Sequence, residues 1–184
     1  MDPILNILAL DTSTDYCSVA LLHHEKLTFR EELAGQQHSE LILPMIDALL
    51  GASNLELALL NGVAFGAGPG SFTGLRIACG VAQGLAFGAG LPVVPVGTLL
   101  ALAEAAGAPR VVACLDARMG EIYHAAYQRS GAGWIETVTP NVCKADAAAA
   151  LDGGDWVGCG NGFAVYGDAL AARSGGKGPR VCAP

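Results

Sequence analysis

The sequence predicts an α/β protein built as two similar halves, each with a sheet flanked by helices. A strand, a glycine loop, a helix and a second strand follow one another within residues 62–98. This is the order of a right-handed βαβ crossover in a parallel sheet. A strand that ends in an aspartate turn, followed by a returning strand, occurs at Leu10-Asp11 and again at Leu115-Asp116. The recurrence predicts a duplicated fold.

Residues 62–98 organise the chain and carry a large share of its 25 glycines. Glycine permits positive φ in the loop at residues 66–70, and the proline within that loop keeps a helix from starting early. The helix is predicted from Ser71 to Gly88, with Ser71 or Thr73 as its N-cap. Short strands precede and follow it, at residues 63–65 and 92–96.

One edge of this helix is nearly free of side chains. The residues along it, spaced four apart, are Arg76, Gly80, Gly84 and Gly88. Interior glycines cost about 0.5–1 kcal/mol each relative to alanine, so a closely packed helix must offset their cost. That helix can belong to the same subunit or form a subunit interface, and the sequence leaves both open.

The chain begins with a predicted β-hairpin, strands 4–10 and 17–22, followed by a third strand at residues 26–33. The hairpin tip holds Asp11, Thr12 and Ser13, whose hydroxyls and backbone N–H groups could meet a phosphate. The alternative is an Asx turn in which Asp11 and Ser13 satisfy the local backbone. We favour the turn.

The next helix is predicted at residues 39–50, with Ser39 as N-cap. Its apolar residues form two adjoining stripes, one of Leu41, Met45 and Leu49 and the other of Ile42, Ile46 and Leu50. This face is wider than one sheet requires. We therefore expect Leu41, Met45 and Leu49 to lie exposed beside Gly80, Gly84 and Gly88 as one interface patch.

A further helix at residues 98–106 ends at a glycine and a proline, and this stop predicts the domain boundary. The domains are then residues 1–107 and 108–184. The second half is predicted to contain strands at 111–115, 121–128, 134–138 and 155–159. Helices are expected at 144–151 and within 160–173.

Composition excludes several classes of protein. The chain of 184 residues is 52% hydrophobic and 15% charged, with a net charge of −7. Residues 31–109 contain one base, Arg76, so binding to nucleic acid without a partner is not expected. The apolar run 77–103 is cut by prolines and glycines, which argues against a membrane span. The six cysteines show no zinc spacing, and the start lacks a signal peptide, so a cytosolic protein is expected.

Four segments together resemble the bacterial TsaB family, also called YeaZ, of tRNA threonylcarbamoyladenosine biosynthesis proteins. They are LALDTSTDYCSVAL, HSELILPMIDALL, GAGPGSFTGLRIACGVAQGLA and VVACLDARMGEIYHAAY. The resemblance spans residues 4–127, and GPGSFTGLR is its most specific part. It implies a fold like that of actin, Hsp70 and sugar kinases, with two tandem ribonuclease-H-like halves. Family members usually extend further, so the second half is expected to lack a C-terminal segment.

The resemblance also implies a role without catalysis. TsaB is the partner of TsaD, which transfers threonylcarbamoyl to the adenosine beside the anticodon in tRNAs that read codons beginning with A, and the ATPase TsaE joins them. A homodimer is expected when the protein is alone, with tRNA bound only through the complex. No catalytic residue, cofactor or metal is implied, and the interface is expected at the patch that includes Arg76.

Two enzymatic alternatives remain. An actin-like ATPase or kinase would use Asp11, Thr12 and Ser13, although Ala117-Arg118-Met119 places bulk where a second phosphate loop belongs, and residues 158–162 are a weak remnant of an adenosine loop. A metallopeptidase of the older M22 assignment would need metal ligands. The chain has no HExxH motif, and its four histidines include no pair spaced i, i+4.

Overall fold

The computed structural model describes residues 5–151, 153, 155–173 and 180–182. Ile4, predicted to begin the first strand, and the chain end at Pro184 lie outside the described residues. The chain forms two compact units, Met1–Gly97 and Thr98–Pro184, each with one five-stranded sheet.

The first unit has the strand order β3-β2-β1-β4-β5. The first three strands pair antiparallel, and β4 and β5 continue the sheet in parallel with β1. The elements are β1 Ile7–Asp11, β2 Tyr16–His23, β3 Lys26–Leu33, α1 His38–Ala52, a 3-10 turn Leu57–Leu59, β4 Gly62–Gly66, α2 Phe72–Ala89 and β5 Val93–Val96. The predicted βαβ crossover is therefore confirmed as β4-α2-β5.

The second unit repeats this topology, since its order read from the far edge is β8-β7-β6-β9-β10. Three antiparallel strands are again followed by two parallel ones. The elements are α3 Thr98–Ala105, β6 Arg110–Arg118, β7 Glu121–Ser130, β8 Gly133–Lys144, a 3-10 turn Ala145–Ala147, β9 Val157–Cys159, α4 Gly162–Arg173 and β10 Arg180–Cys182. The predicted duplication is confirmed.

Helices α1 and α2 cover the same face of the first sheet. Alternate strand residues, among them Leu8, Val19 and Val63, are at most 1% exposed and point into this core. The buried side of α2 is lined by alanines such as Ala78 and Ala82, whose small side chains bring the helix close to the sheet. The opposite side of α2 faces outward.

Two expectations for α1 are wrong. The helix starts at His38, and Gln37 occupies the N-cap position without a side-chain hydrogen bond, so Ser39 is not the cap. Met45 and Leu49 are each only 4% exposed, and only Leu41 of that stripe is half-buried. The wide apolar face is used within the unit, because α1 lies over β2 and β3 and also beside α2.

The boundary between the two units lies ten residues earlier than the predicted stop at residue 107, because α3 packs on the second sheet. Leu99 and Ala103 are fully buried in a core formed with strands β6 and β7. At the exposed end of α3, the Glu104 carboxylate accepts hydrogen bonds from Arg129 Nη2 at 2.9 Å and Trp134 Nε1 at 2.7 Å. These bonds hold the pKa of Glu104 below its usual value.

The helix predicted at residues 144–151 is wrong, and the strand predicted at 134–138 is too short. Strand β8 continues to Lys144, which pairs with Glu121. Pro140 is tolerated because β8 is an edge strand and its register with β7 shifts between His124 and Ala126. Only a 3-10 turn fits after β8, although the alanines there favour a helix locally.

The apolar run 77–103 is divided among α2, β5 and α3. Among the residues that the structure describes, no helix combines the length and the apolar content needed to cross a membrane.

His124 in β7 provides a test of this core. The side chain is 1% exposed, its Nδ1 has no hydrogen-bond partner in the described part of the chain, and burial lowers its pKa. Because the unfolded chain binds the proton more readily, stability should fall as the pH drops below about 6.5, by up to about 1.4 kcal/mol per pH unit. Urea unfolding between pH 7.5 and 5 should show a weaker pH dependence for His124→Leu than for the wild type.

His24, which is exposed at a hairpin turn, is the matched control. The pH dependence of His24→Gln should equal that of the wild type. A His124→Leu variant whose stability keeps the full wild-type slope would contradict the assignment.

Candidate functional site

The polar tip after β1 is an Asx turn, as favoured from the sequence. The Asp11 carboxylate accepts hydrogen bonds at Oδ1 from the backbone N–H of Ser13 at 2.7 Å and from the Ser13 hydroxyl at 2.6 Å. The Asp11 side chain thus fixes the turn that follows its own strand.

The same turn is joined to the start of α2. Thr12 is fully buried, and its hydroxyl donates a hydrogen bond of 2.7 Å to the carbonyl oxygen of Gly74. The backbone N–H of Ser71 donates to the Ser13 carbonyl at 2.8 Å. Because both hydroxyls of the tip are bonded within the chain and Ser13 is only 3% exposed, the predicted phosphate-loop remnant is closed by its own protein.

Three glycines spaced four apart allow this contact. A Cβ at Gly70 would lie 2.6 Å from the Ser13 carbonyl oxygen, and a Cβ at Gly74 or Gly66 would overlap Thr12 or Asp11. The sequence pattern suggested positive φ for the loop glycines, but among Gly66, Gly68, Gly70 and Gly74 only Gly68 has it, at 98°. The regular spacing of the other three was the available signal for close packing.

Helix α2 is capped at both ends as the sequence suggests. The Ser71 hydroxyl accepts a hydrogen bond from the Gly74 N–H at 3.3 Å, which decides between Ser71 and Thr73 as N-cap. Gly90 closes the helix in the left-handed region, at φ 68°. The turn contact at Gly74 therefore fixes one end of a helix whose other end is independently capped.

The glycine edge of α2 is open. A Cβ at Gly80, Gly84 or Gly88 would meet nothing within 4 Å, and all three residues are exposed. A partner helix from the same subunit was one of two possibilities, and no residue in the described part of the chain packs there. The other possibility, a surface for another subunit, stays a prediction at this point.

Two exposed phenylalanines, which were not singled out from the sequence, lie near this edge. Phe72 is 74% exposed and Phe87 is 93% exposed, and the Arg76 guanidinium carbon lies 5.4 Å from the centre of the Phe72 ring. Phe87 lies three residues after Gly84 and seven after Gly80, so helical periodicity places it on the same side of α2 and was the signal available in the sequence. We call the whole surface the α2 outward face, which comprises Phe72, Arg76, Gly80, Gln83, Gly84, Phe87 and Gly88.

The second unit contains a corresponding closed turn. The Asp116 carboxylate accepts from the backbone N–H of Arg118 at 3.0 Å and from Tyr166 OH at 3.4 Å, and Arg118 Nη1 lies 3.5 Å away. The amide oxygen of Asn161 accepts from the Asp116 N–H at 2.9 Å. The carboxylate is therefore engaged within the chain, while Met119 at the tip is 99% exposed.

The glycine loop before α4 supports this turn by packing. A Cβ at Gly160 or Gly162 would overlap Cys114 in β6. Residues 158–162, interpreted from the sequence as a weak adenosine-loop remnant, thus hold β9 and α4 against β6. They correspond in topology to the glycines before α2 in the first unit.

The four histidines do not form one cluster, and two of them, His23 and His38, make local polar contacts. The His38 ring nitrogen Nε2 lies 2.9 Å from the Thr14 carbonyl oxygen, and His23 Nδ1 lies 2.8 Å from Asn6 Oδ1. Within the described ranges, no three His, Cys, Asp or Glu side chains are grouped so that they could hold a metal ion. Burial raises the pKa of the Cys114 thiol to about 12.

Gly74→Ala tests the contact between the turn and α2. The added methyl group would overlap backbone at Thr12, which cannot move without displacing β1, so a loss of about 2–4 kcal/mol in unfolding free energy is expected. Urea unfolding is the measurement. The control is Gly51→Ala in α1, where nothing lies within 4 Å and alanine should be neutral or stabilising by up to about 1 kcal/mol. Equal effects at both sites would contradict the assigned close approach.

Comparisons with known proteins agree with this architecture. A family model described as "TsaD: tRNA N6-adenosine threonylcarbamoyltransferase" matches residues 24–170. The chain is 46% identical to the tRNA threonylcarbamoyladenosine biosynthesis protein TsaB of Haemophilus influenzae, covering 88% of this chain and 74% of that protein. It is 44% identical to TsaB of Escherichia coli, covering 93% of this chain and 77% of that protein.

The structure of YeaZ from Pseudomonas aeruginosa matches with a TM-score of 0.84 and 40% identity, over 91% of this chain and 80% of that one. The fold class expected from the sequence, an actin-like α/β fold with two ribonuclease-H-like halves, is confirmed by this likeness and by the repeated sheet topology.

Proposed function

The chain belongs to the TsaB (YeaZ) family of tRNA threonylcarbamoyladenosine biosynthesis proteins, and from this premise we propose that it is a non-catalytic scaffold and activating subunit in that modification. It pairs with the catalytic subunit TsaD, which transfers threonylcarbamoyl to the adenosine beside the anticodon, and with the ATPase TsaE. The complex acts on tRNA in the cytoplasm.

The α2 outward face is the observation that carries the proposal. Its glycines let a second helix approach more closely than the usual 8–10 Å between helix axes, and its two phenylalanines supply apolar area at either side. A surface of this kind on one exposed helix is typical of a protein interface. Pairing through it should bury more than about 1,000 Å² in total.

The match to the TsaD family model supports pairing between related chains. The model covers residues 24–170, which include α1 and α2, so the proposed partner is related to this chain in the region of the interface. A second copy can then take the partner's place when the protein is alone. We therefore expect a homodimer that TsaD displaces.

The turns at Asp11 and Asp116, whose polar groups are hydrogen-bonded within the chain, support a role without catalysis. The hydroxyls of Thr12 and Ser13 and the carboxylates of Asp11 and Asp116 all bond within the chain. The two hydroxyl protons and at least one oxygen of each carboxylate are therefore already used within the chain. With a net charge of −7, the chain also lacks the positive surface needed to hold tRNA alone, so tRNA is expected to bind through the complex.

Reconstitution tests the role directly. The protein alone, mixed with tRNA, threonine, bicarbonate and ATP, should leave the adenosine unmodified, as measured by mass spectrometry of digested tRNA. Adding TsaD, TsaE and the adenylate-forming synthase should give the modified nucleoside, and leaving this chain out should abolish or strongly slow its formation. Modification by this chain alone would disprove the scaffold role.

The ATPase and metallopeptidase alternatives have their own measurements. Calorimetric titration with ATP and magnesium should show no binding in the micromolar range, because the tip hydroxyls are bonded within the chain. Stoichiometric zinc or iron in the purified protein would favour the peptidase.

Gly84→Leu should separate folding from pairing. Leucine is a better helix former than glycine and Gly84 is exposed, so the circular dichroism spectrum should stay unchanged. The added side chain would hold the opposing helix away, so homodimer and TsaD binding should weaken at least tenfold, by about 1.4 kcal/mol or more, in sedimentation experiments.

Gly51→Leu is the matched control, since Gly51 is also exposed and free of neighbours but lies at the end of α1. It should leave pairing unchanged. If Gly84→Leu binds and activates TsaD as the wild type does, the interface with TsaD lies elsewhere.

A further inference from the structure

Strand β3 leaves one edge of the first sheet open. It pairs with β2 on one side, and among the described residues no strand pairs with it on the other. The hairpin turns at His24 and Glu25, which have φ of 49° and 61°, and His23 pairs with Lys26 across this two-residue loop. A loop of this type is closed by a hydrogen-bonded pair, so Lys26 directs its backbone groups toward β2.

The alternation along β3 then directs the backbone groups of the odd-numbered residues from 27 to 33 toward the open edge. The same residues include the large apolar side chains of the strand. Leu27 is 64% exposed, Phe29 is 72% exposed and Leu33 is 71% exposed. An edge strand that combines free backbone groups with exposed apolar side chains is a template for pairing with another strand.

We propose that β3 pairs antiparallel with β3 of a second copy of this chain, about a two-fold axis at Phe29, so that the two sheets join into one. Phe29 then faces Phe29 of the partner subunit in a hydrogen-bonded pair. Leu27 lies diagonal to it across the axis, within reach of the ring. The exposed side chains of Phe29 and Leu27 from the two copies are thereby brought together.

The charged residues of β3 favour this register over those with the two-fold axis at a neighbouring residue. In it, Lys26 lies opposite Glu32 of the partner subunit, and the symmetry gives this pair twice. The pair is of the non-hydrogen-bonded type, in which side chains come closest. An axis at Thr28 would instead place Lys26 opposite Arg30 of the partner subunit.

The next two axes are also unfavourable. An axis at Arg30 would place two guanidinium groups opposite each other. An axis at Glu31 would pair Arg30 with Glu32 of the partner subunit twice, but it would place two carboxylates opposite each other at its centre. Only the axis at Phe29 combines an apolar pair at the centre with opposite charges at both ends.

This surface is separate from the α2 outward face. Strand β3 is the edge next to β2, whereas α2 packs on β1, β4 and β5 on the other side of the first sheet's strand order. The proposal therefore does not depend on the proposed function. A chain that pairs through both surfaces assembles beyond a dimer, whereas a Gly84→Leu chain, in which pairing through α2 is weakened, should stop at the β3 dimer.

Charge reversal tests the register. In the Gly84→Leu chain, Lys26→Glu or Glu32→Lys alone should weaken self-association at least about tenfold in sedimentation equilibrium, because each creates two like-charged pairs. The double variant Lys26→Glu/Glu32→Lys should restore the dissociation constant to within about threefold of the parent chain. Both residues are exposed, so folding should be unaffected.

A double variant that associates no better than the single variants would overturn the register. A Gly84→Leu chain that stays monomeric at about 100 µM would overturn the second copy as occupant of the β3 edge.

Cysteine cross-linking tests the two-fold axis in the same background. Hydrogen-bonded antiparallel pairs place Cα atoms about 5.5 Å apart, which matches a disulfide. Phe29→Cys should therefore form a covalent dimer on mild oxidation, which a reductant reverses. Thr28→Cys, whose copies would lie more than about 7 Å apart, should not cross-link above the parent chain with its six native cysteines. Equal cross-linking of the two variants, or none for Phe29→Cys, would overturn the axis.

Discussion

The contact between the turn after β1 and the first residues of α2 is the constraint on which the first unit depends. The Thr12 hydroxyl is buried and bonded to the Gly74 carbonyl, and a Cβ at Gly70 or Gly74 would separate the two segments. This contact fixes where α2 begins and how close it lies to β1 and β4. The helix then has one alanine-lined side against the sheet and an opposite glycine edge that no described residue of its unit covers.

The second unit solves the same packing problem with different side chains. Gly160 and Gly162 bring the start of α4 against Cys114 in the middle of β6, as the earlier glycines bring α2 against the turn after β1. The turn is held by the Asp116 carboxylate, which bonds Arg118 and Tyr166, in place of a buried hydroxyl. The duplicated topology thus depends on glycine at each crossover, while the side chains that lock each turn differ.

The two turns held by Asp11 and Asp116 support the proposed role for the same reason. Groups that could meet a phosphate or a metal in an open turn are bonded inside the chain, and the surface features that remain unused are outward-facing. The α2 outward face offers glycines and two phenylalanines, and β3 offers a free strand edge with apolar side chains. A chain with this distribution is suited to hold other chains in place, which agrees with its family and with the role proposed for it.

The sequence by itself determined most of the element types, the βαβ crossover and the duplication, because hydrophobic periodicity and glycine loops act locally. It also located the Asx turn at Asp11 and the bare edge at Gly84. Only the tertiary structure decided which apolar stripe of α1 is buried, because α1 lies beside α2 as well as on the sheet, and a pattern within one helix does not reveal its neighbours. The same reason explains the helix that was wrongly predicted from Lys144: β8 stays paired with β7 as far as Lys144, and only a 3-10 turn follows in the alanine-rich segment, although alanine favours a helix.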